Sequence, residues 1–312
     1  MTVAQRPLGN SGLAVSEIGF GCGPGAGLMV GDDRETGLAA VRRALDLGIT
    51  YFDTAAAYGD GQSETRLGDI LHTLDARPVI GTKITLELPD LNDIGDAVER
   101  SITGSLRRLG VDRLDVVHLH NRVAAHRAIR PPLGSGAQIM PQDVLGNGGV
   151  VDALARLRDR GLVGAFGCCA YGGEKDAILE LVESDHFDAM LVHYSLMNPS
   201  AWRGASGDAA DDYQGVAASA AARGMGIVAL RILEAGVLAG ASLGTPQQQS
   251  LIRRLAPGGP GSPNLTSLAV RFVLSQAAVS TALIGVSSLA HVEEATAAAA
   301  EGPLPADLLE SL

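Results

Sequence analysis

The sequence is almost without lysine. Of its 24 basic residues 22 are arginine, and only Lys83 and Lys175 are not. Where arginine meets nearly every need for a surface cation, a lysine on an apolar strand asks for a reason. Cysteine is scarce too: three residues cannot all pair within one chain, which excludes a disulfide framework and makes a reducing cytoplasm the expected location. No apolar run reaches the ~18 residues of a membrane span, and the opening stretch MTVAQRPLGNSGL lacks the basic patch and apolar core of a signal peptide, so no membrane partner is expected. Positive charge falls short of negative, 24 against 35, and the net −11 repels polyphosphate, which argues against nucleic acid as a partner.

What is present is a regular alternation. A hydrophobic fraction of 46% with 19% charged residues suits a soluble enzyme, and 312 residues are enough for two average domains or one large α/β barrel. Short apolar runs begin at SEIGFGC (16–22), ITYFDTA (49–55), PVIGTKI (78–84), LDVVHLH (114–120), LVGAFGCCA (162–170), AMLVHYS (189–195), MGIVALRI (225–232) and TALIGV (281–286). Amphipathic stretches follow, most ending at a glycine suited to a left-handed C-cap. Eight strand-then-helix repeats with no composition shift or linker predict a single domain over 1–312, a closed (β/α)8 TIM barrel. The segment RPLGNSGLAV predicts an N-terminal β-hairpin. Residues 121–148 and 233–264 make long loops after the fourth and seventh strands, on the face where barrels build active sites.

Four polar residues occupy places a core would not choose: Asp53 ending the second strand, Tyr58 in the loop after it, Lys83 at the end of the third strand and His120 ending the fourth. In a barrel all four converge on one mouth. A phenol is a poor acid at neutral pH, but an adjacent ammonium stabilises the phenolate and lowers its pKa. A carboxylate keeps that ammonium charged and fixed, and a histidine orients a carbonyl or shares the proton. Such a set protonates an oxygen while something else delivers hydride. Taken singly, each has a bland reading: Asp53 as a cap or salt-bridge partner, Tyr58 as loop packing, His120 as a core residue.

The strings GFGCGP, YFDTAAAYGDGQSETRLG, VIGTKI and LDVVHLH resemble, in order and spacing, the aldo-keto reductase superfamily, and GLVGAFGC, GIVALRILEAGVL and ALIGVSS continue the likeness over nearly the whole chain. The resemblance implies Tyr58 as general acid/base, Lys83 tuning it, Asp53 holding Lys83 and His120 orienting a carbonyl. It implies a nicotinamide dinucleotide, NADP(H) first and NAD(H) as the alternative, held without a Gly-rich Rossmann loop. The implied cofactor contacts are Gly21, Asp53, Cys169, Tyr194, Arg231, Gly236, Gly285, Ser287, His291 and Glu294; no metal site is expected. Cys169 and Ala170 stand where members commonly carry Ser-Asn, Leu191 where a Gln is frequent, and His291 and Ala295 where Gln or Arg and Asn are usual. Tyr194 stands at the stacking aromatic.

Around these, Met29, Tyr58, His120, Arg122 and Trp202 are expected to meet a carbonyl or sugar-like substrate, with residues 122–147, including Met140, walling the site. Arg122, His126, Arg127 and Arg130 serve either that role or a solvated loop face. Trp202, the sole tryptophan, lines the pocket or caps a loop. Gly19, Gly21 and Gly23 relieve crowding at the mouth rather than cradle phosphate, His118 is structural one layer below His120, and Cys168 and Cys169 face opposite sides of a strand. The reading is an NAD(P)-dependent oxidoreductase of a carbonyl or its alcohol. Its alternatives are a sugar 1-dehydrogenase direction, a dinucleotide-binding regulatory subunit with little turnover, and a Schiff-base aldolase using Lys83, which Asp53 opposes by keeping the amine protonated. Monomer and homo-oligomer both stay open.

Overall fold

Alternation along each strand separates an outer face that packs under helices from an inner face that fills a barrel. In the computed structural model, which describes residues 2–129, 135–204, 212–240, 244–255 and 263–312, the chain takes that form. A hairpin, β1 (Gln5–Pro7) and β2 (Ala14–Ser16), precedes a closed parallel barrel of β3 (Ile18–Gly21), β4 (Tyr51–Asp53), β5 (Val79–Ile84), β6 (Leu114–Leu119), β7 (Val163–Cys169), β8 (Ala189–His193), β9 (Gly226–Leu230) and β10 (Val279–Gly285), with β10 closing on β3. All eight expected strands are present, seven of them within the expected bounds and the last, β10, beginning two residues earlier than expected, and the expected hairpin is there. The helices are α1 (Arg34–Asp46), α2 (Gln62–Thr73), α3 (Ile94–Leu109), α4 (Pro141–Leu145), α5 (Val150–Asp159), α6 (Lys175–Glu183), α7 (Ser200–Arg203), α8 (Val216–Ala222), α9 (Pro246–Leu255), α10 (Pro263–Leu274), α11 (Leu289–Ala300) and α12 (Ala306–Ser311).

The two faces form separate apolar clusters. Phe20, Phe52, Val117, Phe166, Met190 and Ile227 belong to the layer under the helices, whereas Tyr51, Val116, Ala165, Ala189, Leu191 and Val228 fill the barrel. Leu8 and Val15 of the hairpin region join the inner cluster, so the hairpin closes the end of the barrel opposite the mouth. Two rings meet in the interior, Tyr51 and His118, whose hydroxyl and Nε2 lie 3.3 Å apart. A side-chain carbon at Gly81 or Gly167 would overlap them, which is why those inward positions are glycine. Cys168 lies in the outer layer and Cys169 in the inner one, as the alternation requires.

The loop after β6 has structure of its own. Ala128 and Gln138 exchange backbone hydrogen bonds, and the Asn121 amide accepts from Leu86 N at 2.9 Å and donates to the Leu86 and Ala137 carbonyls. Arg130 and the proline- and glycine-rich stretch 256–262 lie outside the described residues.

Candidate active site

Inward positions at the carboxyl ends of β4 and β5 carry Asp53 and Lys83, both almost wholly buried and joined as an ion pair. Lys83 also donates to the Thr54 carbonyl at 2.7 Å, and its ammonium stands 4.9 Å from the centre of the Tyr58 ring. Three consecutive left-handed residues after Tyr58, Gly59, Asp60 and Gly61, turn the chain into α2. The Ser63 hydroxyl donates to the Cys22 carbonyl and accepts from the Thr54 hydroxyl, which fixes that turn. His120, one residue beyond β6, meets the Tyr58 ring edge-on at 5.9 Å; its Nδ1 is 3.5 Å from Thr85 Oγ1 and its Nε2 3.4 Å from Ser135 Oγ.

The electrostatics follow from burial. Burial works against the charge on Lys83, but Asp53 and Tyr58 more than offset it and hold its pKa above the ordinary lysine value. Burial raises the Asp53 carboxyl against the pull of Lys83. Burial also raises the Tyr58 phenol, and Lys83 offsets only part of that rise, so the net shift runs opposite to the lowering that the adjacent ammonium leads one to expect. His120 is pushed down to about 3 by burial and then by Lys83, so its imidazole is neutral.

These side chains form one end of a cleft of about 500 Å³ to which all eight barrel strands or the loops leaving them contribute. Its floor is Cys169, Leu191, Leu230 and Leu283; Gly21, Gly236 and Gly285 line its walls, with Arg231, Ser287 and His291 beyond. Ser287 Oγ and His291 Nδ1 are 3.1 Å apart. The chain matches the family model described as the aldo/keto reductase family over residues 17–312.

The chain belongs to the aldo/keto reductase family. As a member it is an NAD(P)H-dependent oxidoreductase. It is 27% identical to an L-galactose dehydrogenase of Arabidopsis thaliana, over 96% of this chain and 89% of that one. A pyridoxal 4-dehydrogenase of Microbacterium luteolum is 28% identical over 93% and 91% of the two chains. An aldo-keto reductase from Klebsiella pneumoniae, solved in complex with NADPH, shares the fold with a TM-score of 0.69 at 22% identity, covering 99% of this chain and 94% of that chain.

Five expected contacts are not brought to this reductase cleft. Tyr194 lies one residue past β8, out of phase with inward His193, and packs between Trp202 and Phe272 at 5.6 and 5.5 Å, so both Tyr194 and Trp202 serve the outer layer. Met29 is buried in the outer core, Arg122 turns to Glu174 at 4.0 Å, and Glu294 lies exposed on α11. Met140 lines a separate groove beside α6. The cleft instead contains Ser135, Tyr171 and Leu230, which the sequence reading did not single out. Tyr171 was the findable one, being one of five tyrosines and directly beyond a strand end; Ser135 sits in a Gly-Ser-Gly run with no distinguishing signal.

The donor set suits a dinucleotide. Asp53 Oδ2, buried at the catalytic end of the cleft, forms no hydrogen bond among the described residues. Arg231 lines the cleft and forms no ion pair among those residues, its Nη1 donating instead to the Tyr171 hydroxyl at 3.2 Å.

Proposed function

We propose that the chain moves a hydride between NADP(H), with NAD(H) as the lesser partner, and a ring-bearing or sugar-like carbonyl or its alcohol, with Tyr58 as the proton donor and acceptor. The observation that carries this reading is the meeting of Asp53, Lys83, Tyr58 and His120 at one end of a cleft that continues past Arg231 to Ser287 and His291. A bound nicotinamide supplies or accepts the hydride. Tyr58, a neutral phenol, gives its proton to a carbonyl oxygen, and Lys83 stabilises the phenolate left behind. Asp53 keeps Lys83 charged and in place. His120, neutral, hydrogen-bonds the substrate oxygen, while Cys169, Leu191, Leu230 and Leu283 keep the floor dry. Arg231 is the cation for the dinucleotide phosphates. The ion pair on Lys83 argues against a Schiff-base nucleophile, which needs a free amine. The names of the two dehydrogenase relatives support a ring-bearing substrate.

The test is a panel of sugars, ring aldehydes and their alcohols, run in both directions with each dinucleotide. Tyr58→Phe is expected to lower turnover by ~10²–10⁴ while dinucleotide affinity holds. Lys83→Arg is expected to be nearly inactive, because a planar guanidinium does not fit beside a phenol inside the barrel. Near-normal turnover in either variant removes the mechanism. Selectivity between the dinucleotides is expected to be weak, since His291 is the only basic residue from Thr281 to Glu301 and is already engaged by Ser287. A preference of about a thousandfold for NADPH would assign the discriminating contact to a cation elsewhere, Arg231 first.

A further inference from the structure

Of residues 230–236, the segment that leaves β9, all but Glu234 line the cleft. Glu234 turns the other way and is 6% exposed. Its Oε1 is 2.8 Å from His193 Nε2 and accepts from the Ser195 hydroxyl; its Oε2 accepts from Gln248 Nε2 at 3.4 Å. One carboxylate thus ties the segment to β8, to the turn beyond it and to α9. The backbone carries a cost for this arrangement. Arg231, Glu234 and Ala235 all have left-handed φ, at 57°, 50° and 52°, in a region where glycine is the usual choice. Glycine would sit at position 234 with less strain, so the side chain there answers a need for the carboxylate. The proposed chemistry makes no use of that carboxylate.

We propose that Glu234 is a positioning residue for the dinucleotide: its buried carboxylate, bonded to His193, Ser195 and Gln248, holds the Leu230–Gly236 wall, and with it Arg231, in the form that takes the cofactor. Arg231 is held from two sides, by its own backbone conformation next to that anchor and by the Tyr171 hydroxyl across the cleft. Loss of the anchor lets the strained backbone relax and carries the guanidinium away from the phosphates. The inference rests on the reading of the cleft as a dinucleotide site.

The experiment is a fluorescence titration of NADPH into the full-length wild type, Glu234→Gly, Glu234→Gln, Arg231→Ala and the Glu234→Gly/Arg231→Ala double variant, with thermal melts and steady-state kinetics on the same samples. Glycine relieves the backbone at this φ while the change strips a buried acceptor from three side chains, so a purely structural role predicts a shifted melting temperature with unchanged binding. Positioning predicts a melting temperature within about 4 °C of wild type but an NADPH Kd raised about tenfold or more. It also predicts kcat at saturating NADPH within about threefold of wild type, placing the loss in KM for the dinucleotide. Glu234→Gln, which keeps one acceptor oxygen for Ser195, is expected to fall between and carries the test if the glycine variant does not fold. In the Arg231→Ala background the glycine change is expected to add little, because the two act as one unit. Wild-type affinity in Glu234→Gly, or losses that multiply in the double variant, overturns the inference. If the wild type itself fails to bind NADPH, the reading of the cleft falls and the inference falls with it.

Discussion

At Tyr58 two effects oppose each other, and burial exceeds the pull of Lys83, so the phenol keeps its proton through neutral pH. The sign of the pH dependence follows. Reduction needs the phenol protonated and is expected to stay flat through neutral pH, failing only on the alkaline side. Alcohol oxidation needs the phenolate, so its kcat/KM should rise by about tenfold per pH unit while Tyr58 remains mostly protonated. His120 is pushed down to about 3 and is neutral throughout this range, so neither profile should break near the ordinary histidine value. Profiles in both directions check this; a break near pH 6.5 that disappears in His120→Asn would show that the imidazole titrates.

Between elements, the seating of Tyr58 depends on a contact outside the barrel interior. Glu64, in the first turn of α2, is fully buried, accepts from Thr82 Oγ1 of β5 at 2.5 Å and pairs with Arg108 of α3 at 2.6 Å. Thr82→Val keeps the shape but strips one partner from a buried carboxylate, and is expected to cost ~1–3 kcal/mol in denaturant unfolding and to lower turnover. Unchanged turnover would show that the Tyr58 turn holds without the contact. The strands were legible because period-two alternation fixes both their existence and their faces, and the alternation put His118 inside the barrel and Cys168 and Cys169 on opposite faces. It loses phase where a strand ends. Tyr194 and Arg122 lie just beyond that point, so their directions are decided by Phe272 and Trp202 in one case and Glu174 in the other, partners that no local pattern reveals. Arg231 and Glu234 were equally illegible in conformation, since their left-handed backbones occur without glycine.

Over the whole molecule, stability and chemistry sit at opposite ends of the barrel. Leu8 is fully buried in the inner cluster at the hairpin end, far along the axis from Tyr58. Leu8→Ala is expected to cost ~2–5 kcal/mol of stability through the cavity it leaves, with Michaelis constants unchanged in the folded fraction. A shift in those constants, with the loss of stability confirmed by melting, would mean the two ends are coupled. The near-absence of lysine also reaches beyond catalysis. Lys83 is walled in, so Lys175, exposed at the start of α6 and away from the cleft lining, is the one side-chain amine that an acylating reagent can reach. Amine coupling to a dye, a bead or a sensor surface therefore attaches the folded protein through Lys175 or its α-amino group, leaving the ammonium beside Tyr58 unmodified.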